Sequence, residues 1–264
     1  MKPKYETLHL ETIDDHILLV MYDRPEVRNA KNTQMGIDQR DLFESLYVDN
    51  KGYRVVILTG RGDKAFSAGG DLKERNGMTD ADWQRQHAIF EQSALALRAC
   101  PIPVIGAING AAFGGGCETA LNVDFCYAST TAKFALTEIT LGIIPGTMGT
   151  QNLPQAVGER RAKEIIFTGQ PFSAQEAFQW GFVNKLCDPQ NLMEETLETA
   201  RKIAANAPLA VQRAKRATTV ATQVDRSTGY QFELEAYNRL VGTEDRIEGV
   251  RAFNEKRNPD FQGK

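Results

Sequence analysis

An α/β fold with a mostly parallel sheet and a helical C-terminal region is what the 264-residue sequence predicts. Three observations carry it. Short, near-continuous apolar runs, RVVILTG and PVIGAING, are of strand length and suit strands buried on both faces. Segments of helical length separate them, so right-handed strand, helix, strand crossovers follow. Beyond about Gln190 the strand signals stop, and Ala-, Glu- and Arg-rich helical sequence runs to the end. The predicted division is a core over 1–189 and a helical region over 190–264, whose apolar face must pack on something, another subunit being one option.

In chain order, ETLHLET and HILLVMYD alternate around Asp14-Asp15 and predict a hairpin. RPEVRNAKN is a loop, broken by Pro25 and two asparagines. Met35, Ile37, Leu42, Phe43, Leu46 and Tyr47 predict an amphipathic helix from Thr33 to about Tyr47. RVVILTG is the first buried strand. KAFSAGGDL is a tight loop, and a helix follows from about Asp80 to Ala99. PVIGAING is the next strand, then a glycine-rich turn and a short helix from about Gly115 to Leu121. VDFCYAS and AKFAL are two further apolar runs.

Composition narrows the function. Hydrophobic residues at 42% and charged residues at 25% are those of an ordinary globular protein. A net charge of −3 and the absence of a concentrated basic face argue against nucleic acid. Cys100, Cys117, Cys126 and Cys187 form no C-x-x-C pair and no zinc pattern, and read as buried free thiols. With neither a leader-like start nor a membrane-length apolar run, a cytoplasmic protein without a metal is expected.

Two glycine loops follow buried strands, FSAGGDL and FGGGCE. Ligands gather at the C-terminal edge of parallel strands, so both loops can face one ligand. Peptide N–H groups of Gly70 and Gly115, bare of side chains, would then form an oxyanion hole for a carbonyl turning into an enolate. The plainer reading is two tight turns. Neither loop has dinucleotide or P-loop spacing. Glu118 lies about one helical turn past Gly115, and Glu138 sits in the apolar stretch ALTEITLGIIPG. Carboxylates in such surroundings need hydrogen bonds, a partner or a chemical role. With the two loops they make an acid/base set around a thioester or similar carbonyl; alone, each could serve a helix N-terminal turn.

AFSAGGDLKE, PVIGAINGAAFGGGCETAL, DFCYASTTAKFALTEITLGIIPG, FTGQPFSAQEAFQWGFVNKL and EDRIEGVRAFNEKRNPDF, in this order, resemble the crotonase superfamily over nearly the whole chain. The resemblance implies a spiral of βαβ units with a C-terminal helical trimerisation region. It implies coenzyme A thioester substrates, no separate cofactor and no metal. It further implies a homo-oligomer, a trimer or dimer of trimers. Gly70 and Gly115 match the oxyanion-hole donors. Glu118 and Glu138 match the two glutamates of the enoyl-CoA hydratases, which points to hydration of a trans-2-enoyl-CoA to a 3-hydroxyacyl-CoA, or the reverse. Glu118 is assigned to the water and Glu138 to the α-proton. Gly146 matches the small residue beside that water. Arg28, Ala30, Ala68, Asp71 and Leu72 match positions around the CoA, and Tyr237 and Lys256 match C-terminal positions that close over it.

The chain departs from the family in three places. GTMGTQNL puts Met148 where a glycine is usual, expected to reshape the acyl pocket, and Asn152 where an arginine is usual. Lys31 replaces an apolar residue and is expected to be a solvated loop charge, a contact to a CoA phosphate being the alternative. His87 and Trp83 are expected mainly on a helix surface, within reach of the acyl pocket. Retention of both glutamates argues against a hydrolase-like relative. Other readings within the fold are a carnitinyl-CoA dehydratase or a double-bond isomerase. A non-catalytic binding protein, like the RNA-binding relatives, would need a missing glutamate and a basic patch.

Overall fold

The computed structural model describes residues 5–264, so the first four residues of the N-terminal stretch expected to lack a leader lie outside it. A hairpin opens the fold: β1 (Leu8–Ile13) pairs antiparallel with β2 (Ile17–Tyr22). Asp14 and Asp15 turn the corner with φ of 50° and 60°, the left-handed region that aspartate tolerates better than most residues. A single 3-10 turn over Pro25–Val27 leads to α1 (Thr33–Val48), started by Asn32, whose side chain accepts the Met35 N–H at 3.0 Å.

From there the chain repeats a pairing of one long and one short strand. β3 (Val55–Gly60) is followed at once by β4 (Ala65–Ser67), then by a one-turn α2 (Leu72–Arg75) and the long α3 (Asp80–Ala99). β5 (Val104–Ile108) is followed by β6 (Ala111–Phe113) and α4 (Gly115–Asn122), and β7 (Phe125–Ser129) by β8 (Lys133–Ala135). A 3-10 turn at Glu138–Leu141 leads to α5 (Gly149–Val157), α6 (Glu159–Thr168), β9 (Phe172–Ser173), α7 (Ala174–Gln179) and β10 (Lys185–Cys187). Four helices close the chain: α8 (Leu192–Ala204), α9 (Pro208–Val220), α10 (Arg226–Val241) and α11 (Glu244–Glu255).

The long strands form a six-stranded sheet in the order β1-β2-β3-β5-β7-β10, parallel from β2 onward. The short ones form a second, four-stranded sheet, β4-β6-β8-β9. The expectation of one sheet is thus corrected to two. Strands of two or three residues are too short to show a period, so β4 reads as loop, and β8 shows only as part of the apolar run AKFAL. β3 and β5 are buried along their whole length, as their continuous apolar sequences require.

One face of the large sheet packs with the second sheet and α1 in the main core, around Tyr22, Phe43, Leu58, Phe66 and Phe134. The other face packs Ile57, Ile105 and Ile17 against Leu192, Leu197 and Ala200 of α8. α8 therefore completes the core of the sheet, whereas α9 has no buried residue and α10 only Ala236. All four cysteines are free and buried. No helix among the described residues is long and apolar enough to cross a membrane.

Candidate active site

The two glycine loops meet. Both follow short strands of the second sheet, β4 and β6, which pair in parallel and bring their C-terminal ends side by side. The approach is so close that a Cβ on Gly69 would stand 2.6 Å from the Phe113 carbonyl and 3.4 Å from the Gly115 nitrogen. One on Gly116 would stand 2.2 Å from the Ser67 carbonyl. Gly69 and Gly114 have φ of 90° and 49°, so glycine supplies both the conformation and the room. Among the described residues, the hydrogen bonds across the loops use other donors than the Gly70 and Gly115 amides: Lys31 N–H to the Gly69 carbonyl at 2.7 Å, and Gly114 N–H to the Ala135 carbonyl at 2.8 Å.

These amides border a cavity of about 700 Å³, lined by Ala68, Gly70 and Leu72 from the first loop and Gly114, Gly115 and Glu118 from the second. Glu138, Gly146 and Thr147 line it from the segment after β8, and Trp83, His87 and Phe90 from α3. Glu118 is buried and fully engaged: Thr147 N–H donates to Oε1 at 2.8 Å, Gly149 N–H to the same oxygen at 2.9 Å, and the Thr147 hydroxyl to Oε2 at 2.5 Å. Three donors aimed at one carboxylate hold it as an acceptor in a fixed orientation. Glu138 is its opposite. Its Oε2 is buried without a hydrogen-bond partner among the described residues, and Oε1 lies 3.1 Å from where a Cβ of Gly114 would be. Burial, and after it the charge of Glu118, push its carboxyl up to about 7, against a smaller pull from Arg75. One carboxylate is thus tied down while its neighbour is set to exchange a proton near neutrality.

Gly146 leaves room for His87, since a Cβ there would lie 2.4 Å from the imidazole Cε1 and the ring would have to move. His87 and Trp83, expected mainly on a helix surface, both line the cavity, and Glu91 approaches His87 Nε2 at 3.1 Å. The guanidinium of Arg75 stacks 4.3 Å from the Trp83 ring centroid and donates to Gln86 at 2.7 Å. Nothing in the sequence marks Arg75, which there is one of many helix charges.

Other expected positions fall elsewhere. Met148 does not line the cavity. With φ of 76° it is the left-handed residue at which the backbone turns from Gly146 and Thr147 into α5, a conformation that suits glycine better than methionine. Asn152 is buried, donating to Asn122 at 2.8 Å and accepting from Arg98 at 3.3 Å, so an arginine from α3 reaches the neighbourhood of the missing one. Lys31 is corrected: rather than an exposed loop charge it is half-buried and lines the cavity, its ammonium on the Thr119 hydroxyl. Asp71 caps α2 and pairs with Arg24 at 3.0 Å, outside the cavity lining. Arg28 is exposed, beside Arg61 and Lys64 in a separate small depression, and Ala30 accepts from Arg24 at 2.6 Å. Tyr237 on α10 is exposed, and Lys256 ends α11; neither reaches the cavity within one chain.

Residues 12–264 match the family described as enoyl-CoA hydratase/isomerase. The chain belongs to that family. A short-chain-enoyl-CoA hydratase of Clostridium acetobutylicum is 39% identical over 241 residues, 91% of this chain and 92% of that protein. A crotonyl-CoA hydratase of Syntrophomonas wolfei is 35% identical over 260 residues, 98% and 99% of the two chains. The crystal structure of an enoyl-CoA hydratase from Bacillus anthracis superposes with a TM-score of 0.96 at 40% identity, covering 98% of this chain and all of that one. In this member of the enoyl-CoA hydratase/isomerase family, the two glutamates and the two glycine loops line one cavity.

Proposed function

We propose that this protein is an enoyl-CoA hydratase, a hydro-lyase that adds water across the 2,3-double bond of an enoyl-CoA thioester or removes it from a 3-hydroxyacyl-CoA. The observation that carries the reading is the unlike pair of carboxylates, Glu118 fixed by three donors and Glu138 with an unpartnered oxygen, beside two bare peptide amides. Gly70 and Gly115 N–H groups take the thioester oxygen as it gains charge, which makes the β-carbon electrophilic. Glu118 orients and deprotonates the water that attacks it, and Glu138 delivers the α-proton. No step needs a separate cofactor. Ala68 and Leu72 at the cavity, with Arg28, Ala30 and Asp71 outside its lining, are proposed to hold the CoA.

Mixing the protein with a panel of 2-enoyl-CoAs and following loss of ultraviolet absorbance by the conjugated thioester tests this; no change with any member would refute it. The pH profile is a second test. Glu138 must be protonated to give its proton, so kcat/KM for hydration is expected to hold below pH 7 and fall above about 7. For dehydration, which uses Glu138 as base, the limb is inverted.

The apolar surface of the last helices supports a homo-oligomer, a trimer or a dimer of trimers. Tyr230, Leu234 and Tyr237 of α10 and Ile247, Val250 and Phe253 of α11 are all exposed, Phe253 at 83%. So many large side chains on neighbouring helices mark an association surface. In this reading residues 1–189 carry the cavity and 190–264 the assembly face, with Tyr237 and Lys256 closing over CoA in an adjacent subunit. Phe253→Glu is expected to lower the sedimentation mass toward that of one chain; a wild-type protein that already sediments as one chain would exclude the oligomer. The four buried thiols suit the reducing cytoplasm, and a role in fatty acid breakdown by β-oxidation fits the chemistry.

A further inference from the structure

Lys31 is the feature of the cavity that hydration of a plain enoyl group leaves without a task. Its backbone is stapled to the oxyanion loop: its N–H donates to the Gly69 carbonyl at 2.7 Å, and its carbonyl accepts from Asp71 at 2.9 Å. From that fixed point the side chain runs past Gly115, where a Cβ would stand 3.8 Å from Lys31 Cδ, and ends on the Thr119 hydroxyl. Thr119 is four residues, about one helical turn, beyond Gly115 on α4, so the residue that holds the ammonium follows the proposed carbonyl site on the same helix.

The ammonium has few partners there. Thr119 accepts one hydrogen bond while giving its own proton to the Gly115 carbonyl at 2.8 Å, and the Tyr22 ring lies 5.2 Å away. Among the described residues no carboxylate is within salt-bridge distance of it. The acids nearby are committed: Asp71 to Arg24, Glu74 to Thr33 and Gln86, Glu118 to Thr147 and Gly149. Gln39 and Asn122, in the same lining, are also engaged, with Ser93 and Thr147 respectively. An ammonium with one hydrogen bond among the described residues is under-partnered at a cost, and burial pushes it down to about 8, against a raising effect of Glu118. An aliphatic acyl chain would leave that cost standing, and a trimethylammonium group would add repulsion.

Resting on the hydratase reading, we infer that Lys31 selects acyl groups bearing a carboxylate at their far end, a short dicarboxylic enoyl-CoA with its thioester on Gly70 and Gly115 and its free carboxylate on the Lys31 ammonium. The distance fits, since an enoyl group of five carbons spans roughly the one helical turn between Gly115 and Thr119.

The test compares crotonyl-CoA, glutaconyl-CoA and crotonobetainyl-CoA as substrates, and butyryl-CoA and glutaryl-CoA as unreactive ligands measured by calorimetry. Wild type is expected to favour glutaconyl-CoA over crotonyl-CoA by about 30-fold in kcat/KM, and glutaryl-CoA over butyryl-CoA in Kd by a similar factor. Lys31→Met should abolish both preferences, and Lys31→Arg should restore part of them. A purely structural lysine would lower all rates together and leave the ratios unmoved. Hydration of crotonyl-CoA without preference for the dicarboxylic ligands, or preference for crotonobetainyl-CoA, overturns the inference and leaves the hydratase reading intact. If no enoyl-CoA is hydrated, the hydratase reading fails, and the wild-type Kd comparison alone decides the role of Lys31.

Discussion

Glu138→Gln is expected to cut turnover of an enoyl-CoA by at least about 100-fold, because it removes the group that carries the α-proton while keeping the shape of the side chain. Binding of a saturated acyl-CoA should be nearly unchanged. Stability should move the other way. The folded carboxyl sits near 7, above its ordinary 4.5, so between these values the folded state holds a proton the unfolded chain has released. The stability linked to this group is therefore complete below about pH 4.5 and is lost as pH rises through about 7. Glutamine cannot ionise, so at pH 8 the variant should melt at a higher temperature than the wild type, and at pH 4.5 the gap should close. Near-normal turnover in Glu138→Gln would sink the two-carboxylate mechanism; a lower melting temperature at pH 8 would show that burial of Oε2 does not strain the ionised wild type.

Gly115→Pro should cost about 100- to 1000-fold in kcat, the range for losing one oxyanion donor. The helix start accepts the substitution, while the proline Cδ takes the place of the N–H hydrogen. Gly115 is the first residue of α4, where proline is well accepted, and a Cβ there meets nothing nearer than Lys31 Cδ at 3.8 Å. The N–H is lost and the helix start is kept. Gly116 offers no such experiment, since any side chain there is driven into the Ser67 carbonyl. A Gly115→Pro enzyme with intact melting behaviour and undiminished turnover would remove this amide from the mechanism.

Much of the frame could be read from local sequence, because its signals are local. The Asp14-Asp15 hairpin, the buried runs of β3 and β5 and the helices α1 and α3 each carry their own period or punctuation. Glu118 and Gly115 share one turn of helix, so their proximity is also local. The second sheet escaped because its strands have two or three residues and are defined by partners far along the chain. Lys31 escaped for a related reason. Flanked by Ala30 and Asn32 it looks like loop charge, and only the pairing with Gly69, thirty-eight positions on, turns it inward. Met148 failed in the reverse sense: a side chain suited to a pocket wall sits on a backbone whose positive φ gives it another place.

The last residues are fastened in an unusual way. Arg54 donates to the Phe261 carbonyl at 2.6 Å and to the Ala204 carbonyl at 2.8 Å. Asp245 accepts the Gln262 and Gly263 N–H groups at 2.7 and 2.9 Å, its own N–H reaches the Lys264 carbonyl at 3.1 Å, and Glu248 accepts the Asp260 N–H at 3.0 Å. Every one of these clasps grips the peptide chain rather than a side chain of the tail. Such an anchor reads spacing more than spelling: Asp260, Gln262 and Lys264 can drift in identity, Gly263 with its φ of 75° and Phe261 beside Gly249 less so, while an insertion or deletion among them slips the peptide groups out of their clasps. Arg54, Asp245 and Glu248, none of them lining the cavity, are the side chains on which this fastening depends.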